Sequence, residues 1–302
     1  MNVELPMCLI DWIDTDDINW HRLTENNSQG AIQLFKKYPE KINWDWLSRN
    51  PSEDAMRLLE KNPDKINWDC LSYNTSAMQL LEKNPDKIHW NWLSRNPSAM
   101  HLLEKNQDKI NWRLLSGNPS AMQLLEKNPD KIYWYWLSGN PSAIHLLEKN
   151  QDKIDWFRLS GNSSAMRLLE KNQDKIDWVL LSRNPSAIHL LEKNPDKIDW
   201  SQLSNNTSEG AMQLLEKNQN KINWEMMSQN SSKCAIQFLE NNQDKINWLY
   251  LSQNTHIFTY DYQNMKQNCM LFKEDLMKNR FHPRNIPKFK DWKVNGFNSD
   301  SE

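Results

Sequence analysis

Eleven tryptophans share one sequence frame: Trp20, Trp44, Trp68, Trp90, Trp112, Trp134, Trp156, Trp178, Trp200, Trp224 and Trp248. Each sits in a variant of Lys-Ile-Asn-Trp-x-x-Leu-Ser-x-Asn-Pro-Ser-Ala-Met-x-Leu-Leu-Glu-Lys-Asn-Pro-Asp. So short a period marks a solenoid, in which a unit hides its apolar face only against its neighbours. The array runs from Ile18 to Asn254 without a linker, and 38% apolar residues suit a thin stack with much surface per residue.

Most intervals between these tryptophans are 22 residues, and the two at each end of the array are 24. The extra pair is always at the same point of the unit: Gln29-Gly30, Glu53-Asp54, Glu209-Gly210 or Lys233-Cys234. Length tolerated at one point marks a connection or a helix start. Asn or Asp precedes the tryptophan except at His89 and Tyr133, and these residues satisfy the first free amides of a helix. Helix A therefore starts at the tryptophan and lasts barely two turns.

Asn-Pro-Ser follows, as at Asn96-Pro97-Ser98, with the asparagine expected to cap a helix B reading Pro-Ser-Ala-Met-x-Leu-Leu-Glu-Lys. Asn106 and its equivalents stop helix B. Helices this short are unstable alone, so stacking must hold them. The expected fold is an all-α solenoid of about eleven two-helix repeats over 18–254. A cap would occupy 1–17, and a capping helix (Asn264 to Arg280) with a basic tail would occupy 255–302. With neighbouring helices roughly 8 to 10 Å apart, the stack should extend on the order of 100 Å. The tryptophans and leucines should be hidden between layers.

Charge is balanced, 37 basic against 39 acidic residues, because each unit carries Glu-Lys and Asp-Lys pairs that cancel. A dedicated binder of duplex nucleic acid shows a basic face instead. Cys8, Cys70, Cys234 and Cys269 stand far apart, as reduced thiols would, and form no metal-ligand spacing. The start lacks the features of a secretory signal, and no segment is long and apolar enough to span a membrane. There is no phosphate loop, metalloprotease motif or nucleophile motif, so the expectation is a non-enzyme without cofactor or metal.

The positions that vary within the fixed frame are the binding candidates. On helix B the residue after Met or Ile gives a column of Gln79, His101, Gln123, His145, Arg167, His189 and Gln213. Such groups suit a solvated face, and they also resemble the logic of repeats that read one RNA base per unit. Helix A adds Trp46, Trp92, Trp136, Tyr135 and Phe157, aromatic residues of the kind that anchor protein interfaces.

The repeat, together with the ending Lys-Asn-Arg-Phe-His-Pro-Arg-Asn-Ile at residues 278–286, resembles the short Asn- and Trp-rich repeat proteins of giant DNA viruses of amoebae. The resemblance implies a viral protein in the host cytoplasm or the virion. It makes His282, Pro283 and Arg284 candidates for a docking element, or for a tail wrapped over the last layer. The function expected is a monomeric scaffold binding a host or viral protein, with single-stranded RNA binding as the alternative.

Overall fold

A computed structural model describes residues 5–275 and 278. The chain divides into two compact units, a repeat body Leu9–Phe258 and a second unit formed by Met1–Cys8 with Thr259–Glu302. The repeat body is the all-α solenoid that the period predicts. In repeat 4, helix A spans Trp90–Leu93 and helix B Met100–Lys105. A third piece, unforeseen in the sequence, closes each unit: a 3₁₀ turn such as Pro85–Lys87 or Gln107–Lys109 after helix B.

The caps fall where the residue types put them. The Asn43 side chain accepts from the Trp46 amide at 3.1 Å and Asp155 from the Arg158 amide at 2.8 Å, whereas Tyr133 caps nothing. His89 takes over with its Nδ1, accepting from the Trp92 amide at 3.4 Å. The two-residue insertions lengthen helix B at its start. Gln29–Lys37 and Glu53–Lys61 have nine residues against six for Met100–Lys105, and Ser28 and Ser52, not asparagine, cap them. In the shorter repeats the asparagine caps the turn that leads into helix B, as Asn96 does by accepting from the Ser98 amide at 2.9 Å.

The fully buried positions are the leucine of helix A and the alanine and second leucine of helix B. Leu93, Ala99 and Leu103 are all 0% exposed. The repeat tryptophans are not hidden as expected; all eleven are half-buried. One face of most indoles is covered by the lysine of the next repeat. Lys87 Nζ lies 4.6 Å from the Trp68 ring centre and Lys131 Nζ 4.5 Å from that of Trp112. An ammonium over an indole is attracted by the ring quadrupole while its stem covers apolar surface. The frame Lys-Ile-Asn-Trp therefore joins each repeat to the one before it.

Two buried polar columns run through the stack. Ser94 Oγ donates to the Trp90 carbonyl at 2.8 Å and accepts from the amide of Asn111 in the next repeat at 3.0 Å. The amide nitrogen of Asn96 donates backward to the carbonyls of Ser72 at 3.2 Å and Asn74 at 2.9 Å. The other repeats do the same, except that Thr24 replaces the serine in repeat 1 and Asn254 donates to the Asn230 carbonyl alone, and in a buried setting each group must find a partner.

Following the columns to their ends shows that there are none. Asn26 of repeat 1 donates to the carbonyls of Ser252, 3.3 Å, and Asn254, 2.8 Å, in repeat 11. Ser252 Oγ accepts from the Asn19 amide at 2.9 Å, and Gln253 Nε2 donates to Glu25 Oε2 at 2.6 Å. Repeat 11 thus stacks on repeat 1 as any repeat stacks on the next, and the repeat body is a closed ring. The extended array of about 100 Å expected from repeat spacing is corrected: a rotation at each repeat, accumulated over eleven repeats, returns the stack to its start.

At the seam the frame is altered to fit. Asp17 stands where other repeats carry the lysine, and Trp12 packs instead against Trp248, ring centres 6.4 Å apart. Helix B of repeat 11 is absent. Thr255–Ile257 forms a 3₁₀ turn, with Ile257 fully buried in the alanine slot and Phe258 in the methionine slot. Gly30 makes room for Phe258, since a Cβ there would lie 2.4 Å from its ring. A two-stranded pairing of Met7–Leu9 with Phe258–Tyr260 follows, antiparallel as judged from Ile10 N to Ile257 O and Asp261 N to Pro6 O.

In the second unit, the helix expected over 264–280 is observed at Tyr262–Asp275, with Tyr262 and Met270 exposed. His282, Pro283 and Arg284 lie outside the described residues. Among the described residues no helix is long and apolar enough to cross a membrane.

Candidate binding rim

Helices A of most neighbouring repeats pack directly on one another, whereas most helices B of neighbouring repeats are splayed. Grooves open between the splayed helices, one lined by Met56, Arg57, Gln79 and Leu80 and another by Met212, Gln213, Gln237 and Phe238. In a closed stack the more tightly spaced row has the shorter circumference. Helices A therefore form the inner rim of the repeat body and helices B the outer. Eleven helices at roughly 9 Å spacing close a circle about 30 Å across between axes. Subtracting a helix diameter of about 10 Å leaves an opening on the order of 20 Å before side chains fill it.

Helix geometry sets which residues face that opening. The helix A leucine points to the core, so positions two before and two after it, one and five residues past the tryptophan, face the other way. There the ring exposes Tyr135, 46%, Phe157, 50%, and Val179, 47%, in three consecutive repeats. Tyr133, 51% exposed, precedes the tryptophan of the first of them.

Beside this apolar stretch runs a chain of guanidinium and aromatic groups. Arg49 stacks on Trp46 at 5.3 Å and on Tyr73 at 5.4 Å; Arg95 lies 5.6 Å from Tyr73 and 5.7 Å from Trp136. Arg113, at 5.9 Å, and Arg158, at 5.1 Å, complete a set of three guanidiniums around Trp136. Among the described residues no carboxylate lies within ion-pair distance of Arg49, Arg95, Arg113 or Arg158. The helix A candidates read from sequence are thus brought together. Trp92 is 38% exposed and rests against Tyr73, while Trp46 and Trp136 are half-buried under arginines. The sequence reading missed the arginines, although Arg49 and Arg95 occupy one variable position of the frame.

The helix B column is different. Gln79, His101, Gln123, His145, Arg167, His189 and Gln213 are all exposed, as a solvated outer face requires. Each histidine, however, is held by the preceding repeat: His145 Nε2 lies 2.6 Å from Glu126 Oε1, and His101 and His189 pair likewise with Glu82 and Glu170. Arg57 in the same column binds Glu53 and Asp54. No group of three or more His, Cys, Asp or Glu residues able to hold a metal occurs among the described residues. Burial pushes the Cys70 thiol above its ordinary pKa, Asp45 and Asp69 adding to the effect and Arg49 opposing it. Comparison with protein-family models, characterised proteins and solved structures finds no match to the chain.

Proposed function

We propose that this chain is a non-enzymatic binding ring that holds a protein partner along the inner rim of helices A. The observation that carries the reading is the run of arginines without carboxylate partners, interleaved with aromatic side chains and bordered by exposed Tyr135, Phe157 and Val179. Arginine and aromatic residues are the types that dominate binding energy at protein interfaces. In the setting implied by the resemblance to repeat proteins of giant DNA viruses, the partner is a host or viral protein in the host cytoplasm or the virion.

Reading of RNA bases by the helix B column is the weaker alternative, because its histidines and Arg57 already spend their polar groups on neighbouring carboxylates. A photo-crosslinking residue placed at Phe157, and separately at Gln123, tests the choice in cells that make the protein. Protease-sensitive adducts from Phe157 and none from Gln123 are expected. Nuclease-sensitive adducts, from either position, would replace this reading with the RNA one.

A further inference from the structure

Three guanidiniums converge on one indole at a place in the rim where the chain has also removed side chains. The position five residues past the repeat tryptophan carries Arg49, Tyr73 and Arg95 in repeats 2 to 4 and Arg183 in repeat 8, but Gly117, Gly139 and Gly161 in the three repeats between. Backbone geometry does not demand glycine there: Gly139 has φ −85° and Gly161 φ −84°, ordinary right-handed values that any residue adopts. What the glycines supply is room. Trp136 lies over Gly117, its nearest carbon 3.7 Å from where a Cβ would stand, and Arg158 Nη2 lies 3.3 Å from the corresponding point at Gly139.

Two donors in this notch have no acceptor. Trp136 Nε1 and Arg158 Nε are the buried side-chain donors without a partner among the described residues. A buried donor left without a hydrogen bond is costly, more so where the group is charged. The nearest acid on the same helix, Asp155, has its Oδ1 engaged by the Arg158 amide at 2.8 Å. The notch therefore presents three guanidiniums with no carboxylate within ion-pair distance among the described residues, beside two buried donors that lack a partner.

We infer that this notch takes a side-chain carboxylate from an acidic segment of the partner, with the neighbouring apolar residues of that segment lying on Tyr135, Phe157 and Val179. A carboxylate matches the fork of a guanidinium, and pairing with an ionised donor gives the stronger class of hydrogen bond. The inference deepens the protein-binding reading above and needs it only in that the ligand is a peptide.

Fluorescence anisotropy of a fluorescein-labelled octapeptide alternating Glu and Phe, titrated with the full chain, tests it. The expected result is binding at least tenfold tighter than for the same peptide with Gln in place of Glu, weakened about tenfold by R113Q and by R158Q. Arg113 is exposed, so R113Q should melt as the parent does, and a loss of affinity then reports on the notch alone. G139D, which sets an internal carboxylate against Arg158, should abolish binding while leaving the fold intact, and Q123A on the outer rim should change nothing.

Equal affinity for the Glu and Gln peptides, or indifference to R113Q, R158Q and G139D, would overturn the assignment. So would displacement of the peptide by equimolar inorganic phosphate or by a uridine oligonucleotide. If those variants have no effect while protein adducts at Phe157 persist, the notch inference falls and the protein-binding reading stands; loss of the adducts as well removes both.

Discussion

The side-chain amide of Asn26 donates to the main-chain carbonyl of Asn254 at 2.8 Å, across 228 residues of chain. The same contact joins Asn140 to Asn118 at 3.0 Å in the middle of the array, so the junction of last and first repeat is one more step of the ladder. A ring built this way has no weak terminal layer. Asn26→Ala should therefore destabilise the protein as much as Asn140→Ala, each by about 3 kcal/mol, since either strands buried carbonyls and an amide. Urea unfolding measures both. A nearly silent Asn26→Ala beside a costly Asn140→Ala would mean that the stack is open.

The lengthened helices give a second contrast. Ser52 Oγ accepts from the Ala55 amide at 3.2 Å and caps a nine-residue helix, so Ser52→Ala should cost about 1 kcal/mol. Ser98, in a shorter repeat, gives only its backbone amide to Asn96. Ser98→Ala should fall within about 0.5 kcal/mol of the parent in the same titration.

The inter-repeat lysine and the core leucine should separate by magnitude. Lys153 Nζ sits 4.9 Å over the Trp134 ring at a solvated site, and Lys153→Gln should lose at most about 1 kcal/mol. Leu137 is 0% exposed, and Leu137→Ala should lose about 3 kcal/mol through transfer and cavity terms. Thermal melts that rank them the other way would assign the cohesion to the indole faces instead of the leucine column.

Cys70 carries the pH prediction. Burial raises its pKa, so at a given pH a smaller share is thiolate, the form that alkylates. Its reaction with iodoacetamide should gain rate only at pH values above those at which free cysteine does. Mass spectrometry of the labelled protein follows this, and exposed Cys269 should label ahead of Cys70 near neutrality. Faster labelling of Cys70 under those conditions would show that its site opens.

On the inner rim, Phe157→Ala and Tyr135→Ala should leave the melting temperature within about a degree of the parent, because both rings are about half exposed. Either change should weaken capture of the partner severalfold. A fall of several degrees would instead make these rings part of the packing.

Much of the architecture was legible in the repeat. Helix starts followed from Asn or Asp before tryptophan, their stops from the asparagine of Glu-Lys-Asn, and the insertion point from the shift between 22 and 24 residues. The aromatic members of the rim were legible too, since Trp46, Trp92, Trp136, Tyr135 and Phe157 stand off the core face of a two-turn helix. Arg95 and Arg158 were not, because one sits two repeats from Trp136 and the other in the repeat after it, and only stacking brings them together. The histidines of helix B looked free for the same reason: Glu126 lies 19 residues before His145, and no local rule pairs them.

The chain's period and its capping residues by themselves determined a stack of short helices, because local hydrogen bonding and apolar spacing act within one unit. Closure was decided only in three dimensions. It depends on the rotation between neighbouring repeats, which the residues of one unit do not reveal, summed over eleven of them, and on Asp17, Trp12, Gly30 and Phe258 adjusting the two ends to meet. The same curvature gathers distant arginines and aromatic rings onto the inner rim, which is why the proposed binding surface belongs to the ring and not to any single repeat.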